Sequence, residues 1–219
     1  MIVEHPTKIE QWPSDTRDGY ALFSRDMKRR YHLARPLTER ALLVDRNAQH
    51  EAGVNHDDID REAPRWMCAR ELTRVVFVML NPSTADAFKL DPTVTKCRKF
   101  AERWGADVLE VVNLFAHRST YPEDLKMLEA GKRGDDEEND RAIAAACTMP
   151  GVQRVIAAWG NHGALGRRAE HVTAMLVGAG VQLSALGTTE DGKTPLHPLA
   201  RGKRWIPIER EPRAWPWLA

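Results

Sequence analysis

Cysteine is scarce in this sequence. The 219 residues include three cysteines, Cys68, Cys97 and Cys147, which lie far apart. An odd number of separated cysteines argues against a disulfide framework, and none of them forms a Cys-x-x-Cys metal motif. Thiols inside cells are normally reduced. We therefore expect three ordinary thiols, no metal and no other cofactor.

Long hydrophobic runs are also missing. No stretch approaches the roughly 18 uninterrupted apolar residues that mark a membrane span. The first residues, MIVEHPTKIEQWPSD, lack the basic flank and apolar core of a signal peptide. With 42% hydrophobic and 29% charged residues, the chain has the composition of a soluble protein with a sizeable core. These features predict a cytoplasmic protein that does not associate with membranes, and we expect a monomer.

The net charge is only +1 at pH 7, so no overall field draws the protein to nucleic acid. Charge is nevertheless clustered. Residues 17–46 and 193–213 are rich in arginine and lysine, whereas GDDEEND at 134–140 is acidic. Each basic segment is either a solvated face or a local phosphate-binding patch. The second includes Arg201, Lys203 and Arg204, the positions favoured for contacts with DNA phosphates.

Several well-known catalytic motifs are absent. The sequence has no Walker loop, no Gly-x-Gly-x-x-Gly and no His-Glu-x-x-His. Ser83 is a conceivable nucleophile, but nothing resembles the Gly-x-Ser-x-Gly elbow. The sequence therefore gives no support for a nucleoside triphosphatase, a dinucleotide enzyme, a zinc protease or a serine hydrolase.

What the sequence does contain is an alternation of apolar strands and helices. Asp91, Pro92 and Gly105 give one helix a cap, a first turn and an end. The pattern predicts an α/β three-layer sandwich with a central, mostly parallel, four-stranded sheet. The predicted strands are 74–80, 108–114, 152–159 and 181–186; the predicted helices are 92–104, a short one after Pro122, 136–148 and 165–180.

The predicted α/β domain covers residues 71–219. Residues 1–70 have poor periodicity, and 47–66 is polar and rich in turn formers. We therefore interpret 1–70 as an N-terminal extension with a mobile loop, packed on the core.

Four polar stretches lie at or just after the predicted strand ends. They are FVMLNPSTAD at 77–86, VVNLFAHR at 111–118, AAWGNHG at 157–163 and PLHPLARG at 195–202. In open α/β sheets, ligands bind beyond the carboxyl ends of the strands. The spacing therefore predicts that all four stretches meet at one site.

The first two stretches leave alternatives open. Asn81 is either an amide held in place by Pro82 or the start of a turn. Asp86 either orients a water molecule or caps its own loop. Asn113 sits in a buried strand, where an unpaired amide costs roughly 1–3 kcal/mol. It therefore either ties down a neighbouring loop or reads the edge of a ligand. Arg118 either contacts phosphate or is merely exposed.

The other two stretches offer further candidates. Trp159 is either a core residue or a stacking platform, and Gly160 permits the backbone to come close to a neighbour. His197 stands on a proline-braced loop, which suits an electrophile or an oxyanion stabiliser.

The same stretches, in this order, resemble a bacterial and phage family of unknown function. Its hallmark series, VMLNPSTAD, DPT, CRKFAERWG, EVVNLFAHRST, AAWGNHG and HPL, covers about 74–200. The sequence also resembles, more distantly, the uracil-DNA glycosylase superfamily. MLNPS is similar to the Gly-Ile-Asn-Pro-Gly motif of the mismatch-specific thymine/uracil branch. VVNLFAHRSTYPEDL, AAWGNHG and HPLARG are similar to its later motifs.

This resemblance implies a uracil-DNA-glycosylase-like fold and a set of roles. Asn81 would position the attacking water, and Asn113 would bind the flipped base. Asp86 is a catalytic candidate only from its place in the same loop, since the resemblance assigns it no role. His197 would stabilise the negative charge that develops on the base. Phe115 would lie near the position of a stacking contact, and the loop after Pro198 would enter the minor groove. From their place in the four stretches and in the basic segments, the other predicted substrate-binding residues are Pro82, Ser83, Trp159 and Gly160, and the predicted DNA-binding residues are Arg118, Arg201, Lys203 and Arg204.

The sequence departs from that pattern at two motif positions. Ser83 and Leu199 stand where the superfamily has glycine and serine, so a modified base is as plausible a substrate as uracil. The expected function is a monofunctional DNA glycosylase that flips a modified or mismatched base and hydrolyses its N-glycosidic bond. Such activity belongs to base excision in DNA repair or phage defence. The alternatives are a hydrolase of free modified nucleotides or nucleosides, and an inactive module that binds modified bases or DNA.

Overall fold

A computed structural model describes residues 19–44, 64–67, 69–86, 89–121, 123–129 and 131–215, with Arg65 described in its backbone only. Cys68, residues 1–18 and most of the stretch predicted to be a mobile loop lie outside these residues. Within the described part of the chain, no helix is long and apolar enough to cross a membrane.

A seven-stranded mixed sheet forms the centre of the fold, in the order β1-β2-β4-β3-β5-β6-β7. Strands β4, β3, β5 and β6 run parallel to one another, while β1, β2 and β7 pair antiparallel at the two sides. The strands are β1 Tyr20–Phe23, β2 Arg30–Pro36, β3 Arg74–Met79, β4 Val108–Asn113, β5 Val152–Ala157, β6 Leu183–Ala185 and β7 Arg213–Ala214.

The prediction of an α/β fold is confirmed, but the prediction of a four-stranded, mostly parallel sheet is wrong. The sheet has seven strands, and three of its six strand pairings are antiparallel. All four predicted strands are present in the middle of the sheet. The sequence hid β2 because it carries Arg30, His32 and Arg35 at buried positions, where an apolar pattern is expected. Residues 20–36, assigned from the sequence to an N-terminal extension, thus contribute two strands to the central sheet.

The helices cover both faces of the sheet. Helix α2 packs on one face, and α4 and α5 pack on the other. The helical segments are α1 at residues 39–44, α2 Pro92–Arg103, α3 Asp124–Met127, α4 Glu137–Thr148 and α5 Arg168–Gly178, with 3₁₀ turns at Arg65–Met67, Gly160–Arg167 and Gly202–Arg204.

The signals that predicted α2 act as expected. Asp91 caps the helix by accepting a hydrogen bond from the Val94 backbone N–H at 2.8 Å. After the helix ends, Gly105 adopts a positive φ of 71°, a conformation that favours glycine. Further into the helix, Cys97 is a buried free thiol, and burial raises its pKa. Cys147 in α4 is likewise free and buried, and burial raises its pKa to about 12.

Glu110 joins three neighbouring strands inside the core. Its side chain is inaccessible to solvent and contacts two basic side chains. The Arg74 Nη1 atom of β3 lies 2.5 Å from Oε1, and the His32 Nε2 atom of β2 lies 2.5 Å from Oε2. Arg74 also donates to the Trp66 carbonyl at 2.5 Å. One carboxylate therefore links β2, β4 and β3 with the chain that precedes β3.

We expect Glu110→Ala to lower the free energy of unfolding by about 3–5 kcal/mol, because it leaves the buried Arg74 guanidinium without its counterion. Urea denaturation measures this change. Glu102→Ala is the control, since Glu102 forms an exposed ion pair with Arg98 worth about 0.5 kcal/mol or less. Equal small effects of the two substitutions would contradict a structural role for Glu110.

Candidate functional site

The parallel strands β3, β4, β5 and β6 end at one edge of the sheet, where the polar stretches lie. Side chains along each strand alternate between the two faces. We call the side covered by α2 the α2 face. Phe77, Met79 and Val111 belong to its core, and alternation from Val111 places Asn113 on the same face. The α2 face at these strand ends is the candidate site.

Asn113 carries a buried amide that no described residue satisfies. The residue is 1% exposed, and neither Oδ1 nor Nδ2 has a hydrogen-bond partner. Its backbone is well bound, by contrast. Asn139 Nδ2 donates to the carbonyls of Asn113 and Leu114, both at 3.0 Å, and Arg168 Nε donates to Leu114 O at 2.7 Å. The Asn113 side chain therefore ties down no described loop, and its donor and acceptor are both unpaired.

Asn81 has a fixed amide orientation just after β3. Its Nδ2 donates to the carbonyls of Ser119 at 2.8 Å and of Pro82 at 3.1 Å. Carbonyl oxygens only accept hydrogen bonds, so the other amide atom, Oδ1, is the one directed away from them. The Asn81 side chain thus stabilises the turn that follows β3 and also presents an acceptor oxygen.

The loop after Asn81 is held by its own residues and by β2. Asp86 Oδ1 accepts from the Lys89 backbone N–H at 2.7 Å, so this carboxylate caps the loop, as the local alternative proposed. Arg30 Nη1 donates to Ala85 O at 2.7 Å, and Arg35 Nη2 donates to Asp86 O at 2.5 Å. Sequence reasoning gave these two arginines no role in the site. The basic cluster at 17–46 was their only signal.

His197 presents a neutral ring. Its Nδ1 accepts a hydrogen bond from the Leu199 backbone N–H at 3.1 Å, which places the ring proton on Nε2. Burial lowers the pKa of His197 to about 4; the charge of Asp91 opposes this shift and that of Lys96 adds to it. At neutral pH the Nε2–H group is therefore a hydrogen-bond donor without a charge.

Gly160 lets two loops of the site approach each other. It has a φ of 71°, and a Cβ at this position would lie 3.3 Å from the His197 Cβ. Its backbone N–H donates to Pro195 O at 3.1 Å. The predicted loops of Gly160 and His197 are thus neighbours in the structure. Ser83 and the buried Pro82 lie in the loop that follows Asn81.

Two predicted substrate-binding residues face away from Asn113. Phe115 is fully buried in the core under α4, and Trp159 belongs to the same core. The Trp159 ring packs edge-on against Trp215, with 5.4 Å between the ring centroids. A wide cleft on that side includes Trp159 but neither Asn113 nor His197. Its Asp140 carboxylate is paired with Arg168 and His171. Single polar atoms lack a hydrogen bond on this side too, among them Asp140 Oδ1 and Arg168 Nη2. We place the candidate site at Asn113, because there both atoms of the side-chain amide are unpaired.

The predicted DNA-binding residues separate into two places. Arg118 supports the β1–β2 hairpin, since its Nη1 donates to Met27 O at 3.1 Å and its guanidinium lies 4.9 Å from the Phe23 ring centroid. Arg201, Lys203 and Arg204 are exposed on a turn that follows the His197 loop. The next residue, Trp205, is 63% exposed, and the sequence pattern did not identify it as a functional residue. The clustering of an aromatic with three cations was its only signal.

We expect Asn113→Leu to raise the melting temperature in the absence of ligand, because an apolar side chain of similar size removes an unpaired amide that costs about 1–3 kcal/mol. Asn139→Leu is the matched control and should lower it, because two carbonyls lose their donor. Calorimetry of both variants measures the shifts. Equal destabilisation would mean that the Asn113 amide is a structural group.

The low pKa of His197 predicts a loss of stability in acid. An unfolded histidine binds a proton near its ordinary pKa of 6.5, whereas folded His197 does so only near pH 4. Stability therefore falls as the pH drops through this window. His197→Gln should make the decline shallower, though His117, whose pKa burial also lowers, retains part of it. Unfolding free energies at about pH 7 and pH 5 test this; identical slopes would contradict it.

Comparison with known proteins adds a family but no activity. Residues 64–199 match the family described as "Protein of unknown function (DUF1643)". No curated protein and no solved structure gives a significant match.

Proposed function

The chain belongs to the DUF1643 family of proteins of unknown function, and we propose that it is an N-glycosidic hydrolase of the DNA glycosylase type. The proposed substrate is a modified or mismatched base that is flipped out of DNA into the site at the ends of β3 and β4.

The Asn113 amide is the observation that carries this proposal. A buried primary amide with a free donor and a free acceptor is complementary to a ligand edge that offers both, and nucleobases have such edges. The cost of leaving the amide unsatisfied is recovered when the ligand binds. A site of this kind discriminates strongly against ligands that lack one of the two groups.

His197 and Asn81 supply the groups that hydrolysis needs. As the bond between the base nitrogen and the sugar C1′ breaks, the electron pair leaves with the base. The neutral His197 ring can donate a hydrogen bond from Nε2–H to the departing base and so stabilise its negative charge. Asn81 Oδ1 can accept a hydrogen bond from water, whose oxygen attacks C1′. The water proton then neutralises the released base.

The exposed turn after His197 offers a surface for DNA. Arg201, Lys203 and Arg204 can contact phosphates, which position DNA without reading its sequence. The Trp205 ring can stack on an unpaired base, and the Lys96 Nζ atom lies 5.7 Å from its centroid. This turn lies close in the chain to His197, so DNA bound there is near the proposed reaction centre.

The direct test incubates the protein with DNAs that carry uracil, mismatched thymine or hypermodified pyrimidines. Mass spectrometry detects the released base, and alkali treatment detects the abasic site. Release from free nucleosides but not from DNA would favour the nucleotide hydrolase. Tight DNA binding without any release would favour the binding module.

We expect Asn81→Ala to lower the single-turnover rate about 100- to 1000-fold on the best base found, as the loss of one preorganised polar group typically does. Stability should fall by about 1 kcal/mol through the lost bond to the Ser119 carbonyl. DNA affinity should be unchanged. Asn161→Ala, an exposed asparagine after β5, is the control. Full activity of Asn81→Ala would make Asn81 a turn residue only.

The basic turn predicts salt-dependent binding. Reversing Arg201 and Arg204 to glutamate should weaken affinity for all DNA sequences alike and flatten the dependence on salt. Reversal of Arg141 and Arg167, which are exposed elsewhere and paired with glutamates, changes the net charge equally and serves as the control. Fluorescence anisotropy over a salt series measures both. Equal loss in the two double variants would remove this turn from the DNA interface.

A further inference from the structure

Arg30 brings a buried positive charge to the candidate site. It lies in β2, before the residues 64–199 that match the family, and is 2% exposed. Its backbone N–H donates to Ala116 O at 2.8 Å, three residues beyond Asn113. Its Nη1 atom donates to Ala85 O, and Ala85 packs in the same α2-face core as Met79 and Val111. Arg30 therefore approaches the site from the strand next to β4.

Arg30 has no counterion among the residues that the structure describes. The nearby carboxylates of Asp91 and Asp86 each accept a hydrogen bond from their own loop, from Val94 and Lys89. Burial lowers the pKa of Arg30 to about 10, despite the opposing charges of these two aspartates. It stays protonated at neutral pH. A charge that is buried without a partner is costly.

Support of the loop does not account for a charge at this position. One neutral hydrogen bond to Ala85 O uses a single donor of a guanidinium that has five. Arg30 Nε is buried and has no acceptor among the described residues. Arg35 already binds the next carbonyl of the same loop, at Asp86. The unpaired, buried Nε–H and the lack of an ion pair among the described residues both favour an anionic acceptor supplied by a ligand.

We propose that Arg30 binds an oxyanion of the ligand and makes the site selective for a base or nucleotide that carries negative charge. This inference rests on the proposed function, because it assigns the second recognition group of the same site. The oxyanion is either a nucleotide phosphate or an acidic substituent on the base. In both cases the Asn113 amide reads the base edge and the Arg30 guanidinium reads the charge.

Binding of matched ligand pairs at constant ionic strength tests the proposal. One pair is uridine and uridine 5′-monophosphate; the other is uracil and uracil-5-carboxylate; inorganic phosphate is measured alone. We expect the charged member of one pair to bind about 10- to 100-fold more tightly, the range typical of hydrogen bonds to charged groups. The pair that shows the preference identifies the source of the oxyanion.

The variants separate charge recognition from loop support. Arg30→Gln should abolish the preference, and Arg30→Lys should retain part of it because the charge remains. Arg35→Gln removes a comparable bond to the same loop and should keep the preference. Equal affinities within both pairs for the wild-type protein would overturn the proposal. So would a complete loss of the preference in Arg35→Gln.

Failure of this inference is distinguishable from failure of the proposed function. If uracil binds in an Asn113-dependent manner without any effect of charge, Arg30 is not a recognition residue and the proposed function stands. If phosphate binds through Arg30 while bases add nothing, the anion site stands and the proposed function is wrong.

Discussion

The end of β4 is fixed from several directions, and the candidate site depends on that constraint. Asn139 and Arg168 bind its last carbonyls, and the Leu114 and Phe115 N–H groups continue the ladder to Met79 O and Leu80 O. These backbone bonds oppose a shift of the strand that would satisfy the Asn113 side chain. A rigid strand end therefore holds an unsatisfied amide in a buried position. Preorganisation of this kind lowers the cost of ordering a site when its ligand binds.

The charges around this strand end are divided between two faces. On the α4 and α5 side, Asp140 pairs with Arg168 and His171, and the groups compensate one another. On the α2 face, His197 is neutral, and Arg30 forms no ion pair within the part of the chain that the structure describes. This buried guanidinium lies on the side where the Asn113 amide is unpaired. This asymmetry favours the α2 face over the wider cleft as the place where a polar, anionic ligand binds.

The sequence revealed the parts of the fold that follow local rules. The continuous apolar run of β3 predicted a buried strand in the middle of a parallel sheet, and Asp91 with Gly105 predicted the bounds of α2. Strand β2 was not predicted because its buried polar residues, Arg30 and His32, form hydrogen bonds with residues more than fifty positions away in the sequence. Periodicity carries no information on such contacts. For the same reason, it could not decide whether Phe115 and Trp159 face the site or the opposite core.

The Asn113 amide can be observed directly in solution by nitrogen-15 NMR. Its side-chain NH₂ resonances are assigned by their loss in Asn113→Leu, and those of Asn139, which is bound to backbone carbonyls, are the internal reference. The account predicts that uracil or its 5-carboxylate shifts the Asn113 resonances and leaves those of Asn139 nearly unchanged. Binding of these ligands without any shift at Asn113 would contradict the claim that this amide reads the base.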